Sequence, residues 1–129
     1  MKKKSLILIS IVLSIFLFLF FIAPVNCNIY VGSTSISGGV DATISLNNKI
    51  IFDDTLYYVP YGYRNINVNI RQGFNKISIS SNKANFHKEE IIFFFLDQFI
   101  VIEYYGPVEL IRDRPDFSIR KRFGSFKYE

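Results

Sequence analysis

Two hydrophobic patterns divide the chain. From Leu6 to Ala23 the residues are apolar apart from Ser10 and Ser14, and no charge interrupts the run. A helix of 18 residues rises about 27 Å, close to the hydrocarbon thickness of a bilayer. The pattern predicts one membrane-crossing helix over about 6–23. Beyond it the period shortens to two, the signature of half-buried strands.

Val40, Ala42, Ile44 and Leu46 alternate with Asp41, Thr43 and Ser45. Asn47-Asn48 then supplies residues that tolerate the left-handed backbone of a tight turn, and Lys49–Phe52 runs back. With a two-residue loop, Ile44 should oppose Ile51, and residue 42 should pair with 53. Thr55–Val59 reads as a further short strand and Pro60–Tyr63 as a loop. Ile66, Val68 and Ile70 alternate with Asn65, Asn67 and Asn69; after Gln72-Gly73, Ile77 and Ile79 alternate with Lys76, Ser78 and Ser80. A hairpin there would place Val68 opposite Ile77 and Ile66 opposite Ile79. A third hairpin is expected from Ile91–Leu96, turning at Asp97-Gln98 into Phe99–Tyr105. Both of its faces are apolar, so both need cover.

These elements predict an all-β fold: a single immunoglobulin-like β-sandwich of about seven short antiparallel strands, preceded by one N-terminal membrane helix. The expected divisions are a signal-anchor or signal peptide over 1–27, the sandwich over 28–111, and a basic aromatic tail over 112–129 with an edge strand near 117–119. In the third hairpin, Phe94, Leu96, Phe99 and Val101 should share one face. Phe117 and its neighbours are the expected cover, with a partner surface as the alternative.

Charge changes the picture at one end only. The formal net charge is +4, but Lys2, Lys3 and Lys4 supply three of the 15 basic residues. From Asn28 onward, 12 basic residues meet 11 acidic ones. The basic pI therefore reflects the N-terminal segment and gives no nucleic-acid surface. Lysines before the apolar run keep the N-terminus in the cytoplasm and send the rest outside, as a single-pass membrane protein. The apolar run exceeds the length of an ordinary signal peptide, and its exit, Ala23-Pro24-Val25-Asn26-Cys27, lacks Ala-x-Ala. Cys27 nevertheless stands where a bacterial lipoprotein carries its lipid, so lipidated Cys27 is one alternative. Cleavage before Asn28 to give a secreted form is another. Ten asparagines occur without an Asn-x-Ser/Thr sequon.

Ser45-Leu46-Asn47-Asn48-Lys49, followed by Ile70-Arg71-Gln72-Gly73-Phe74-Asn75-Lys76-Ile77-Ser78-Ile79, resembles the PEGA-type cell-surface domains over about residues 40–105. Gln72 stands where that family has Pro, and Asn75 where it has His. The resemblance implies a non-enzymatic surface or periplasmic sandwich and transfers no functional residue.

Little catalytic chemistry is in view. One Cys and one His exclude an internal disulfide and a two-His metal site. His87 lies in a polar stretch without a nucleophile nearby. Asp41, Asp53 and Asp54 could meet across the first hairpin, and together with Glu103 they are the residues an envelope enzyme would use. Strand-end and turn aspartates are ordinary, so no catalytic, cofactor-binding or metal-ligating residue is assigned. Tyr57, Tyr58, Tyr61 and Tyr63 cluster around Pro60-Gly62 and combine area with a polar tip. The expected function is a non-catalytic, membrane-anchored envelope sandwich presenting a surface to an envelope protein or glycan. The candidate surface comprises Phe94, Leu96, Phe99, Val101, Tyr61 and Tyr63.

Overall fold

A computed structural model describes residues 2–35, 38–60, 62–95, 98–106 and 116–123, of Lys2 and Phe123 the backbone only. It shows an all-β sandwich preceded by one apolar helix. The helix, α1, runs Lys2–Ile22. Eight strands follow: β1 Pro24–Ser33, β2 Val40–Leu46, β3 Lys49–Leu56, β4 Arg64–Arg71, β5 Gly73–Ser81, β6 Phe86–Phe94, β7 Gln98–Tyr105 and β8 Asp116–Phe123. One sheet has the order β4-β1-β7-β8, the other β3-β2-β5-β6.

The β2–β3 hairpin forms as expected, and its turn chemistry explains why. Asn47 and Asn48 both have positive φ, 49° and 68°, the two left-handed residues that a twist-matched two-residue turn requires. Leu46 pairs with Lys49 and Ser45 with Ile50; a bulge then shifts Ile44 opposite Phe52 rather than Ile51. Beyond it Ala42 pairs with Asp54 and Thr43 with Asp53, and β3 continues to Leu56 without a separate strand.

The other two hairpins do not exist. Gln72-Gly73 cannot make the same turn, because positive φ falls on Gly73 at 102° and not on Gln72. The chain instead turns a corner between sheets. Asn75, only 2% exposed, fixes that corner through hydrogen bonds from its amide to Arg71 O at 2.8 Å and Gly73 O at 3.1 Å. Val68 therefore pairs with Cys27 and Ile66 with Ile29 on β1, while Ile77 pairs with Leu46 and Glu90. Likewise β6 pairs with β5, and β7 lies in the other sheet between β1 and β8. Alternation correctly marks which side chains face inward; it is silent about which strand lies alongside.

The strand absent from the sequence reading is β1. It pairs antiparallel with β4 and parallel with β7, so the described residues form eight strands with one parallel pair among them. It begins at Pro24, four residues before the expected boundary at Asn28. The core between the sheets contains Cys27, Ile29 and Val31 from β1, Ile44 and Leu46 from β2, and Ile77 and Ile79 from β5. It also holds Phe94 from β6, Ile100 and Ile102 from β7, and Phe117 from β8. Phe117 packs against Phe86 and Tyr104 with ring centroids 5.1 and 4.9 Å away. Burying such a ring contributes about 1.5–3 kcal/mol. The tail residue expected to cover an outer face is thus part of the interior.

Candidate functional site

β7 is buried on both faces. Its inward row, Ile100, Ile102 and Tyr104, fills the core. Its outward row is Phe99, Val101, Glu103 and Tyr105. Pairing places Tyr30, Val101 and Arg120 side by side across β1, β7 and β8, then Gly32, Glu103 and Ser118 in the next row. Phe99 meets the edge of Tyr30 at 5.8 Å. Phe99 and Val101 are only 5% and 4% exposed.

Glu103 is a carboxylate in this otherwise apolar strand, with 7% of its side chain exposed. The Tyr63 hydroxyl donates to its Oε1; the Tyr105 hydroxyl and the Arg120 guanidinium donate to its Oε2. Burial alone would raise its pKa. The donors from Tyr105 and Tyr63 and the charge of Arg120 outweigh burial and hold the carboxyl below its ordinary range. The reverse applies to Tyr63, whose hydroxyl burial and the neighbouring carboxylate push up to about 12. With both oxygens of Glu103 engaged, the arrangement clasps Tyr63, β7 and β8 together.

Gly32 makes the clasp possible. A Cβ there would lie 2.7 Å from Cδ1 of Tyr63, so the ring occupies the space that any side chain would need. Val31, Gly32, Leu56, Tyr57, Val59, Gly62, Tyr63 and Arg64 together line a shallow pocket of about 230 Å³. Tyr57 and Val59 on its rim are 62% and 55% exposed, and Tyr58 beside them 43%. The pocket lies at the end of the sandwich away from α1, because β1 runs from Pro24 at the helix to Val31 at the pocket. Those seven steps span roughly 23 Å.

The remaining sequence candidates scatter. Phe94 points into the core, on the opposite sheet from Phe99 and Val101, so these three do not form one surface. Leu96 and Tyr61 lie outside the described residues. Cys27 is fully buried, 3.7 Å from the carbonyl oxygen of Gln98, and burial pushes its thiol up to about 12. A lipid chain on that sulfur would draw it out of this place in the core.

The aspartates have separate structural tasks. Asp41 accepts hydrogen bonds from Ser81 and from the backbone N–H groups of Asn82 and Lys83, capping the β5–β6 turn. Asp53 accepts from Thr43 across the hairpin, and Asp54 pairs with Arg64. His87 is exposed on β6, 3.7 Å from Glu89. Among the described residues no group of three or more His, Cys, Asp or Glu could hold a metal ion.

The sequence reading missed Gly32 and the link from Glu103 to Arg120. One signal was present: a single acid in an apolar strand, followed by a basic segment, foretells a buried pair. Comparison with known proteins finds no family model, no curated protein and no solved structure that matches the chain.

Proposed function

We propose that this chain is a non-catalytic, membrane-anchored envelope protein whose β-sandwich stands outside the cytoplasm and offers its far end to a protein or glycan partner. One observation carries the reading. An apolar helix long enough to cross a membrane, none of whose described side chains is buried within the fold, runs into β1 through Ala23 alone. With the lysines on its N-terminal side, the helix sets the sandwich outside.

The fold also favours keeping the helix. Cleavage before Asn28 would remove Pro24–Cys27, and with them the four pairs from Pro24↔Arg71 to Cys27↔Val68. It would also take a fully buried side chain from the core. The secreted form therefore sacrifices four of the eight β1–β4 pairs, and a lipoprotein processed before Cys27 sacrifices three. The tyrosine-rimmed pocket over Gly32 is the surface offered. Exposed Tyr57 and Tyr58 supply broad contact area with polar tips, which suits a sugar face or a protein loop. The likeness to PEGA-type domains belongs to the same reading.

A C-terminal alkaline phosphatase fusion and a C-terminal fluorescent fusion that folds only in the cytoplasm test the orientation. The phosphatase fusion should be active, and the intact chain should remain in the membrane fraction with Met1 or Lys2 at its N-terminus. A soluble chain beginning at Cys27 or Asn28, or activity from the cytoplasmic reporter, overturns the reading.

A further inference from the structure

The junction between helix and sandwich fixes which part of the sandwich lies nearest the membrane. Gln72 donates a hydrogen bond from Nε2 to Phe20 O at 3.3 Å. The rings of Phe20 and Phe95 lie 5.8 Å apart. Cδ1 of Phe21 is 3.8 Å from where a Cβ on Gly73 would sit. The β4–β5 corner and the end of β6 thus pack against the last turn of α1.

The outer face of the β5–β6 pair changes character with distance from that turn. In the nearest row Phe74 pairs with Phe93, their rings 5.2 Å apart and edge-on. In the next outward row Lys76 pairs with Ile91; beyond it come Ser78 with Glu89 and Ser80 with His87. Phe74 is 79% exposed and Ile91 70%, while Phe93 and Phe95 are each 39% exposed. On the outer face of the β5–β6 pair these open apolar side chains gather at the end that meets the helix, and no packing within the fold explains them. Lys121 completes the patch, with its ammonium 5.8 Å from the centre of the Phe93 ring and bonded to Phe93 O. Aromatic rings bordered by lysine match the boundary between headgroups and acyl chains, where rings bury and ammonium groups meet phosphate.

We propose that Phe74, Ile91, Phe93 and Phe95 insert into the surface of the bilayer that α1 crosses, so that the sandwich rests on lipid along the β5–β6 end. The occupant is lipid because the residues touching Phe20 and Phe21 are already at the depth where the helix leaves the hydrocarbon. The inference rests on α1 remaining as a membrane span.

The chain has no tryptophan, so single tryptophans report position cleanly. Phe74→Trp, Ile91→Trp, Phe18→Trp and His87→Trp are each made in the full chain. Each is reconstituted into vesicles of phosphatidylglycerol and phosphatidylcholine, the latter brominated on the acyl chains near the headgroup. Phe74→Trp and Ile91→Trp should both lose much of their emission and shift to the blue, as Phe18→Trp does, while His87→Trp keeps its emission. Two exposed positions guard against one variant misfolding. If Phe18→Trp is quenched but Phe74→Trp and Ile91→Trp respond only to aqueous acrylamide, the face lies in water and the proposal is overturned. If neither quencher reaches them, a second copy or another protein covers the face, and the proposal is likewise overturned. If Phe18→Trp is itself unquenched, the membrane span fails and takes this inference with it.

Discussion

The ring of Tyr63 stands in the space above Gly32 where a side chain would otherwise be, and from there its hydroxyl reaches Glu103 one strand away. Gly32→Ala should therefore displace the ring and open the clasp. A methyl group forced against a packed ring costs about 1–3 kcal/mol. Tyr63→Ala removes the clash along with the hydrogen bond, so the two substitutions should be clearly non-additive. Urea denaturation of the two single variants and the double variant checks this; additive losses would refute the contact.

The ion pair at Glu103 makes stability depend on acid. A carboxyl with a folded pKa below its unfolded value contributes stability above the unfolded pKa, and that contribution disappears as pH falls through the folded pKa. The ordinary value is 4.5. The wild-type sandwich should therefore lose stability steadily below pH about 4.5, and Glu103→Gln should flatten that part of the profile. At neutral pH the variant should lose about 1–3 kcal/mol, because a buried charged hydrogen bond is replaced by a weaker one. Arg120 is 45% exposed and partly rehydrates, which keeps the loss toward the lower end. Thermal melts at several pH values measure both effects.

Pairing of β4 with β1 rather than β5 can be read from one disulfide. Cys27 and Val68 are direct antiparallel partners, and such partners have Cα atoms about 4.5–5.5 Å apart, within disulfide reach. Val68→Cys should oxidise with Cys27 to a species without free thiol, whereas Ile77→Cys should retain both. In the native wild-type chain Cys27 should resist maleimide at mildly alkaline pH and react once urea unfolds the sandwich. Thiol titration with intact mass distinguishes the cases, and a native mass raised by a lipid would contradict them.

The Asn47 turn should discriminate among substitutions. Asn47 adopts a left-handed backbone and its side chain ties the β2–β3 turn to β5, donating to Asn75 Oδ1 at 2.8 Å and accepting from Lys76 N at 2.9 Å. Asn47→Gly retains the backbone and loses the side-chain bonds, at about 1 kcal/mol. Asn47→Val adds the strain of a branched residue at positive φ, a further 1–2 kcal/mol or so. Equal melting temperatures for the two would contradict the turn assignment.

What the sequence determined by itself was local and periodic. Eighteen uncharged residues after three lysines, sixteen of them apolar, specify a membrane-length helix whatever follows, because the helix forms its own hydrogen bonds. Val40–Leu46 and Lys49–Phe52 specify a hairpin because Asn47-Asn48 can supply two left-handed residues. The inward rows Ile66, Val68, Ile70 and Ile77, Ile79 were legible from alternation, and so was the burial of both faces of Phe99–Tyr105. The tertiary structure alone decided who neighbours whom. Gln72 lacks the left-handed conformation of a tight hairpin, so β4 and β5 part to opposite sheets. β4 then finds its neighbour in β1, remote in sequence, and β5 lies between remote β2 and the following strand β6. The same distance hid the clasp. Gly32, Tyr63, Glu103 and Arg120 belong to four separate stretches, and only the parallel pairing of β1 with β7 places a bare glycine beside a buried carboxylate. Hydrophobic alternation encodes a face, and a face can be buried against any complementary sheet; strand order is set by the whole set of ladders and corners closing together.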